Sequence, residues 1–254
     1  MLTLKHNRRL GVALIALISV SAIIAIFLVE PLLQEFSFHD FSDKREFFGV
    51  RNFFDIASNL PFLIVGILGV WQVLSSERIQ LVSELRPAYL ILFAAVAAVA
   101  FCSSYYHFNP NNESLVWDRL PMTLAFMSLL AIVVGEMLSA KLGRALLWPL
   151  IAIGLYSIYH WVSADDLRVY VLVQFLPMLL IPVMLFCFRG RFDSVRGYWL
   201  LLLAYGAAKL FEYFDVQLFE VLGVVSGHSL KHVAAALGVY GLLKSFSQRQ
   251  LAHM

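Results

Sequence analysis

Charged residues are scarce in this sequence of 254 residues. They make up 14% of the chain, hydrophobic residues make up 61%, and the mean hydropathy is +0.79. So little polar surface cannot enclose a water-soluble globule of this length. The composition therefore excludes a soluble globular fold and predicts an all-α integral membrane protein embedded in a lipid bilayer.

The sequence also lacks a basic region, a pair of cysteines placed to form a disulfide, and a linker between domains. The formal net charge is only +2 and no basic stripe or tail occurs, so nucleic acid is not expected as a partner. The two cysteines, Cys102 and Cys187, are predicted to lie too far apart to form a disulfide, and they do not indicate a redox compartment. No low-complexity tract or long linker divides the chain, which favours one continuous bundle.

Apolar runs dominate what is present. A helix needs about 20 apolar residues to cross about 30 Å of hydrocarbon. Runs of this kind predict eight helices near residues 11–29, 53–74, 88–107, 115–138, 145–163, 168–187, 197–214 and 226–246. The first follows the basic "KHNRR", but its length and the lack of a small-x-small cleavage site favour a span over a signal peptide.

Lysine and arginine placement predicts the orientation of these spans. Twelve of the 19 basic residues fall on the side of the N-terminus, five fall on the opposite side, and Lys209 and Lys231 lie within spans. Cytoplasmic loops carry the excess of basic residues. We therefore expect a multi-pass protein of the cell (inner) membrane, with both termini cytoplasmic.

Polar residues gather in "FCSSYYHFNPNNESLVWDRLPM", residues 101–122. Ser103 and His107 are four residues apart, so they share one face of a helix. Asp118 begins the next helix after an Asn-Pro turn, which can bring it opposite His107. The orientation above places this group at the outward end of the bundle.

A second polar group begins the last predicted helix, in "SGHSLKHVAAALG". His228 and His232 are also four residues apart, a spacing that offers two imidazoles to one metal ion. With His107 they would supply three nitrogens and leave room for water, as in catalytic zinc sites. The alternative is that these histidines are interfacial caps, hydrogen-bonded to neighbouring carbonyls.

Together these residues resemble a known family. Ser103, His107, Asp118 in "WDRLPM" and a terminal-helix HxxxH are similar to the pattern of alkaline ceramidases, within the CREST superfamily of seven-helix membrane hydrolases and receptors. The resemblance implies a seven-helix hydrolase core over 39–254, preceded by one extra transmembrane helix and its connection over 1–38. It also implies that His107, His228 and His232 bind zinc, with Ser103 and Asp118 beside the metal.

The same resemblance implies a possible calcium site before "SNLPF". In eukaryotic members this segment holds calcium, and the corresponding positions here are Asp40, Asp43 and Asn52. Two carboxylates and an amide could begin the oxygen shell that calcium requires. The sequence departs from the family pattern, because Asn52 stands where a glutamate is expected and Arg45 stands near another ligand position. An ordinary solvated acidic loop is the alternative.

Two other polar groups are interpreted as structural. Lys209, Glu212 and Asp215 in "AAKLFEYFD" predict an ion pair that neutralises Lys209 inside the bundle, with a substrate contact as the alternative. His160 lies beside Trp161 at a predicted interface, which is typical of a rim residue.

These residues predict a zinc-dependent membrane amidase that hydrolyses the N-acyl bond of a ceramide-like lipid. Asp118 is expected to accept a proton from water and to pass it to the leaving amine. Ser103 is expected to donate a hydrogen bond to the developing oxyanion. Two alternatives stay open: a lipid ester hydrolase with the same residues, and a non-enzymatic lipid receptor of the progestin and adipoQ type.

Overall fold

The computed structural model describes residues 8–75 and 78–252, and its architecture is helical throughout these ranges. Two short 3₁₀ turns lie at Phe36–His39 and Ser83–Leu85, and no β-strand forms in the described ranges. The described α-helices are α1 (Arg8–Leu28), α2 (Phe53–Ala57), α3 (Leu60–Leu74), α4 (Arg86–Phe108), α5 (Asn112–Met137), α6 (Ala140–Ala164), α7 (Arg168–Cys187), α8 (Arg196–Tyr213), α9 (Asp215–Leu222) and α10 (Gly227–Gln248).

The helical class and the positions of the eight predicted segments are confirmed. Six of the described segments are long and apolar enough to cross a membrane, namely Arg8–Leu28, Phe53–Leu74, Ser83–Phe108, Asn112–Met137, Ala140–Ala164 and Arg168–Cys187. Helices α8 and α10 fall outside this group because polar and charged side chains, including Lys209, Glu212 and Lys231, lower their apolar content. These three side chains line the cavity described below.

Helix α5 lies at the centre of the bundle. It packs against α4, α6 and α7, and every residue from Met127 to Met137 is buried. A helix that is apolar on all sides is typical of a central position. Helix α8 packs along α10, α3 packs along α4, and α1 packs along α7 with most of its side chains exposed. Cys102 and Cys187 are free, as predicted.

The connections between helices gather at two ends. We call the end formed by 29–52, 109–111, 165–167 and 214–226 the histidine end, because the three histidines lie there. The Leu167 amide donates to the Leu32 carbonyl over 2.8 Å, and the Ser42 amide donates to Asp215 Oδ2 over 3.2 Å. Hydrogen bonds from Arg168 hold the pKa of Asp166 below its ordinary value, and Asp166 Oδ1 also accepts from the Leu32 amide.

A buried ion pair holds the opposite end, which we call the tail end. Arg249, 3% exposed, donates to both carboxylate oxygens of Glu136, 4% exposed, at 2.6 and 2.8 Å. The hydroxyls of Tyr89 and Tyr198 donate to the same carboxylate. Arg249 also donates to the Gln80 carbonyl at 2.8 and 3.1 Å. The segment after α10 is thereby fixed against the bundle.

Removing one member of this pair should destabilise the protein strongly. We expect Arg249→Ala to lower the free energy of unfolding by about 3 to 5 kcal/mol, because the Glu136 charge would stay buried without its cation. Denaturant titration in detergent micelles measures this loss.

Lys244→Ala is the matched control, since it removes one positive charge from an exposed position of α10, five residues before Arg249. It should change the free energy of unfolding by no more than about 0.5 kcal/mol. Equal losses in the two variants would contradict the structural role of the pair.

Candidate metal centre and cavity

Three buried histidines meet at the histidine end. His107 lies in the last turn of α4, whereas His228 and His232 lie in the first two turns of α10. One nitrogen from each lies within 4.8 Å of the other two. The Nε2 atoms of His107 and His228 are 3.3 Å apart. The predicted convergence of these three residues is confirmed, and the group could hold a metal ion.

The geometry and chemistry of this group fit zinc. Tetrahedral zinc with Zn–N distances of about 2.0 to 2.1 Å places two ligand nitrogens about 3.3 to 3.4 Å apart. The separation between His107 Nε2 and His228 Nε2 falls in this range. Three imidazole nitrogens are also the donor set that zinc accepts while leaving a position for water. A histidine that binds a metal through one ring nitrogen usually donates a hydrogen bond from the other. His107 departs from this pattern, because its Nδ1 is buried without a hydrogen-bond partner.

A serine orients the third histidine. Ser58 Oγ donates to the Asp55 carbonyl over 2.9 Å and lies 2.8 Å from His232 Nδ1. A hydroxyl has one proton to donate, so the proton in the second contact comes from His232 Nδ1. The Nε2 lone pair of His232 is thereby left free for a metal. Ser58 takes this position because the helix stops after Ala57 and restarts at Leu60, with Pro61 in its first turn.

Asp55 holds the start of α10, and the sequence analysis missed this residue. Its side chain is 0% exposed, and Oδ1 accepts hydrogen bonds from Ser226 over 3.1 Å and Ser229 over 2.7 Å. Ser226 is also the N-cap, accepting from the Ser229 amide over 2.9 Å. Asp55 therefore fixes the turn that carries His228. A lone acidic residue in the apolar run "FFDIASNLPF" was the signal that could have identified it.

Close packing fixes the same turn from the other side. Asp215 Oδ1 accepts from the His228 amide over 2.6 Å, so Asp215 is not part of the ion pair that the sequence predicted. A side chain at Gly227 would collide with the Phe211 carbonyl and the Asp215 backbone, so only glycine permits this approach. At α4, Asn52 Nδ2 donates to the His107 carbonyl over 2.8 Å.

Asp118 and Ser103 lie together beside the histidines. Both line a cavity of about 240 Å³, which His232 also lines. Three of the five predicted residues therefore line this cavity, whereas His107 and His228 adjoin it through the histidine group.

The rest of the cavity is mainly apolar. It runs between α4, α5, α7, α8 and α10, and its apolar lining includes Val96, Val99, Met122, Ala125, Phe126, Leu201, Ala235 and Val239. Its polar lining includes Arg119, Lys209, Glu212 and Lys231. The predicted pair is present, since Lys209 Nζ lies 2.7 Å from Glu212, and Lys231 Nζ lies 2.6 Å from the same carboxylate.

The segment 36–45 covers the histidines from outside. The ring of Phe41 is 5% exposed, and its centroid lies 4.7 Å from that of His107 and 4.6 Å from that of His228. His39 anchors the segment, with Nε2 2.9 Å from Asn112 Oδ1 and Nδ1 2.9 Å from the Tyr106 hydroxyl. Phe41 therefore covers His107 and His228, whereas Phe38 of the same segment lines the cavity.

The three candidate calcium ligands are engaged elsewhere. Both carboxylate oxygens of Asp43 accept from Arg45, Asp40 pairs with Lys44 at the surface, and the amide of Asn52 is used at His107. These contacts give no support to calcium binding, which stays a prediction. His160 lies apart from the histidine group, with Nδ1 3.2 Å from the Asp166 carbonyl.

Comparisons with known proteins add no identification. No protein-family model matches this chain, and no curated protein matches its sequence. The resemblance to alkaline ceramidases therefore depends on the residues named above.

The amount of bound zinc should depend on each of the three histidines. We expect His107→Ala, His228→Ala and His232→Ala each to lose bound zinc, because two imidazoles alone hold it poorly. Ser58→Ala should keep zinc but weaken its affinity about 10- to 100-fold, since it removes the partner that orients His232. Elemental analysis and competition with a chelator measure both effects.

His160→Ala serves as the control, because this histidine lies at the same end outside the group. It should retain wild-type zinc. Full zinc occupancy in all three ligand variants would refute the assignment.

Proposed function

We propose that this protein is a zinc-dependent membrane hydrolase that cleaves the acyl bond of a lipid, with a ceramide-like N-acyl lipid as its substrate. One observation carries the proposal: Ser103, Asp118 and one member of the three-histidine group, His232, line a largely apolar cavity inside a helical bundle. Such a cavity suits an acyl chain, and its polar lining suits the bond to be cleaved.

Asp118 and Ser103 have separate roles in the proposed reaction. When bound, zinc supplies a Lewis acid that activates water and polarises a carbonyl group. The Asp118 carboxylate takes up the proton of the attacking water and returns it to the leaving amine. Ser103 donates its hydroxyl proton to the oxygen on which negative charge develops. Both side chains line the cavity, where they can reach a bound substrate.

The amide substrate comes from the resemblance to alkaline ceramidases. An ester hydrolase is the second candidate, because the same carboxylate and serine would serve an ester bond. A lipid receptor is the third, and the presence of both Asp118 and Ser103 in the cavity favours an enzyme over it.

Replacing the proposed proton acceptor should separate catalysis from metal binding. We expect Asp118→Asn to retain zinc yet abolish hydrolysis, because an amide cannot take up the proton. Ser103→Ala should lower kcat by about 10²- to 10³-fold, as loss of one oxyanion donor does. Fatty-acid release from ceramide and from an acyl ester, on zinc-loaded protein in detergent, measures both variants.

Glu113→Gln is the control, since Glu113 is an exposed carboxylate in the first turn of the same helix, and wild-type activity is expected. Release from ceramide alone supports the amidase, and release from the ester alone supports the second candidate. Lipid binding without hydrolysis supports the receptor. Asp118→Asn as active as wild type would refute the mechanism.

We also propose the membrane arrangement. Helices α8 and α10 would cross with the six more apolar segments, because α10 packs along α8 and against α3. This gives a seven-helix core with α1 as an extra helix. Because basic residues are in excess at the tail end, we propose that both termini are cytoplasmic and that the histidine end lies outside the cell membrane.

Cysteine labelling tests this orientation. In a background with Cys102→Ala and Cys187→Ala, a membrane-impermeant maleimide should label Glu46→Cys on intact cells and spare Arg189→Cys. Both positions are exposed, one at each end of the bundle. Permeabilised cells, in which both sites should react, are the control. Labelling of Arg189→Cys alone on intact cells would invert the orientation.

A further inference from the structure

Arg119 is buried in an aromatic cage beside the proposed catalytic residues. Its guanidinium lies 4.3 Å from the ring centroid of Trp161, 4.7 Å from that of Tyr170 and 5.5 Å from that of Phe38. The residue is 6% exposed and lines the same cavity as Asp118. Arg119 is one of the five basic residues predicted to lie on the side opposite the N-terminus, and the sequence indicated no other role for it.

The charge of Arg119 has no anionic partner within 8–75 and 78–252. Its Nη2 donates to the amide oxygen of Gln34 over 2.6 Å, and its Nη1 is buried without a hydrogen-bond partner. The equally buried Arg249 is instead paired with Glu136. Arg45 and Arg168 are paired with Asp43 and Asp166. An uncompensated cation inside an apolar bundle is costly, and such residues are usually functional.

The other charges of the cavity do not neutralise it. Lys209 and Lys231 share the carboxylate of Glu212. No ion pair joins Asp118 to Arg119 in the described structure, although the two charges attract each other over a longer distance. The cavity lining therefore holds three cations and two carboxylates, Asp118 and Glu212, which leaves one positive charge in excess. The cation–π contacts hold the guanidinium in place and offset part of its desolvation, but they leave its charge unbalanced.

We propose that Arg119 binds the acidic group of a lipid in the cavity, so that the preferred ligand carries a carboxylate or phosphate close to its acyl bond. Guanidinium groups match carboxylate and phosphate geometry, and a charged hydrogen bond in a dry site is strong. This inference deepens the proposed function and uses the same cavity. It narrows the proposed substrate class to N-acyl lipids that carry an acidic group, which ceramide itself lacks.

Equilibrium binding tests the inference without turnover. The probes are N-palmitoylglycine, which is anionic, and N-palmitoylethanolamine, which has the same chain and amide but no charge. Binding is followed by the rise in the thermal unfolding midpoint, on preparations of equal zinc content. Wild type should bind the anionic probe about 10- to 100-fold more tightly, and Arg119→Gln should lose this preference.

Lys209→Gln is the matched control, because it removes the same charge from the same cavity but from a residue already paired with Glu212. It should keep most of the preference. If Arg119→Gln does not fold, Arg119→Met fills the aromatic cage without a buried amide and should show the same loss. Palmitate as a third probe identifies the source of the anion: Arg119-dependent binding of palmitate points to the product carboxylate, and its absence points to the head group.

Two outcomes would overturn the inference: no preference for the anionic probe in wild type, or a full preference in the Arg119 variants. Failure of the proposed function is distinguishable from either, since it would appear as absent hydrolysis while the binding difference persists.

Discussion

A polar group inside an apolar bundle must find its hydrogen-bond partner within the protein, because the surrounding lipid offers none. This constraint explains most of the architecture. Glu136 accepts hydrogen bonds from one arginine and two tyrosines, and Glu212 forms ion pairs with two lysines. Asp55 is met by the two serines at the start of α10. Apart from the Lys209–Glu212 pair within α8, these contacts join different segments of the chain, so the polar groups also determine how the helices are assembled.

The two ends of the bundle use polar contacts differently. At the tail end, the carboxylate of Glu136 has hydrogen bonds to both oxygens, which is the pattern of a structural network. At the histidine end, Asp55 Oδ2, His107 Nδ1 and Arg119 Nη1 are buried without partners. Unsatisfied groups are expensive where water is excluded, so these three atoms mark the histidine end as a candidate site, although Gln72 Oε1 and Ser128 Oγ are also buried without partners elsewhere in the bundle.

Sequence patterns were sufficient for the helices and for the histidines. Long apolar runs have few alternatives to helices in a bilayer, and the i, i+4 spacing fixes His228 and His232 on one face before any packing is known. A lone acidic residue in an apolar run could mark Asp55 but not its role, because its partners Ser226 and Ser229 lie more than 170 residues away. The aromatic cage of Arg119 and the contact of Asp215 with the His228 amide were missed for the same reason. Their roles depend on which helices become neighbours, and a local pattern does not encode this.

The contact of Phe41 with His107 and His228 also bears on the time scale of metal exchange. A ligand atom leaves a metal only if something else can approach to replace it, and the aromatic ring denies that approach from the outside. The segment that carries this ring is held by hydrogen bonds from His39 and Ser42 to three other elements. An ion bound there would therefore exchange toward the outside only as fast as the segment lifts from the bundle. The other route to the ion passes through the cavity, which His232 lines, so a lipid that fills the cavity would also slow the exchange of the metal.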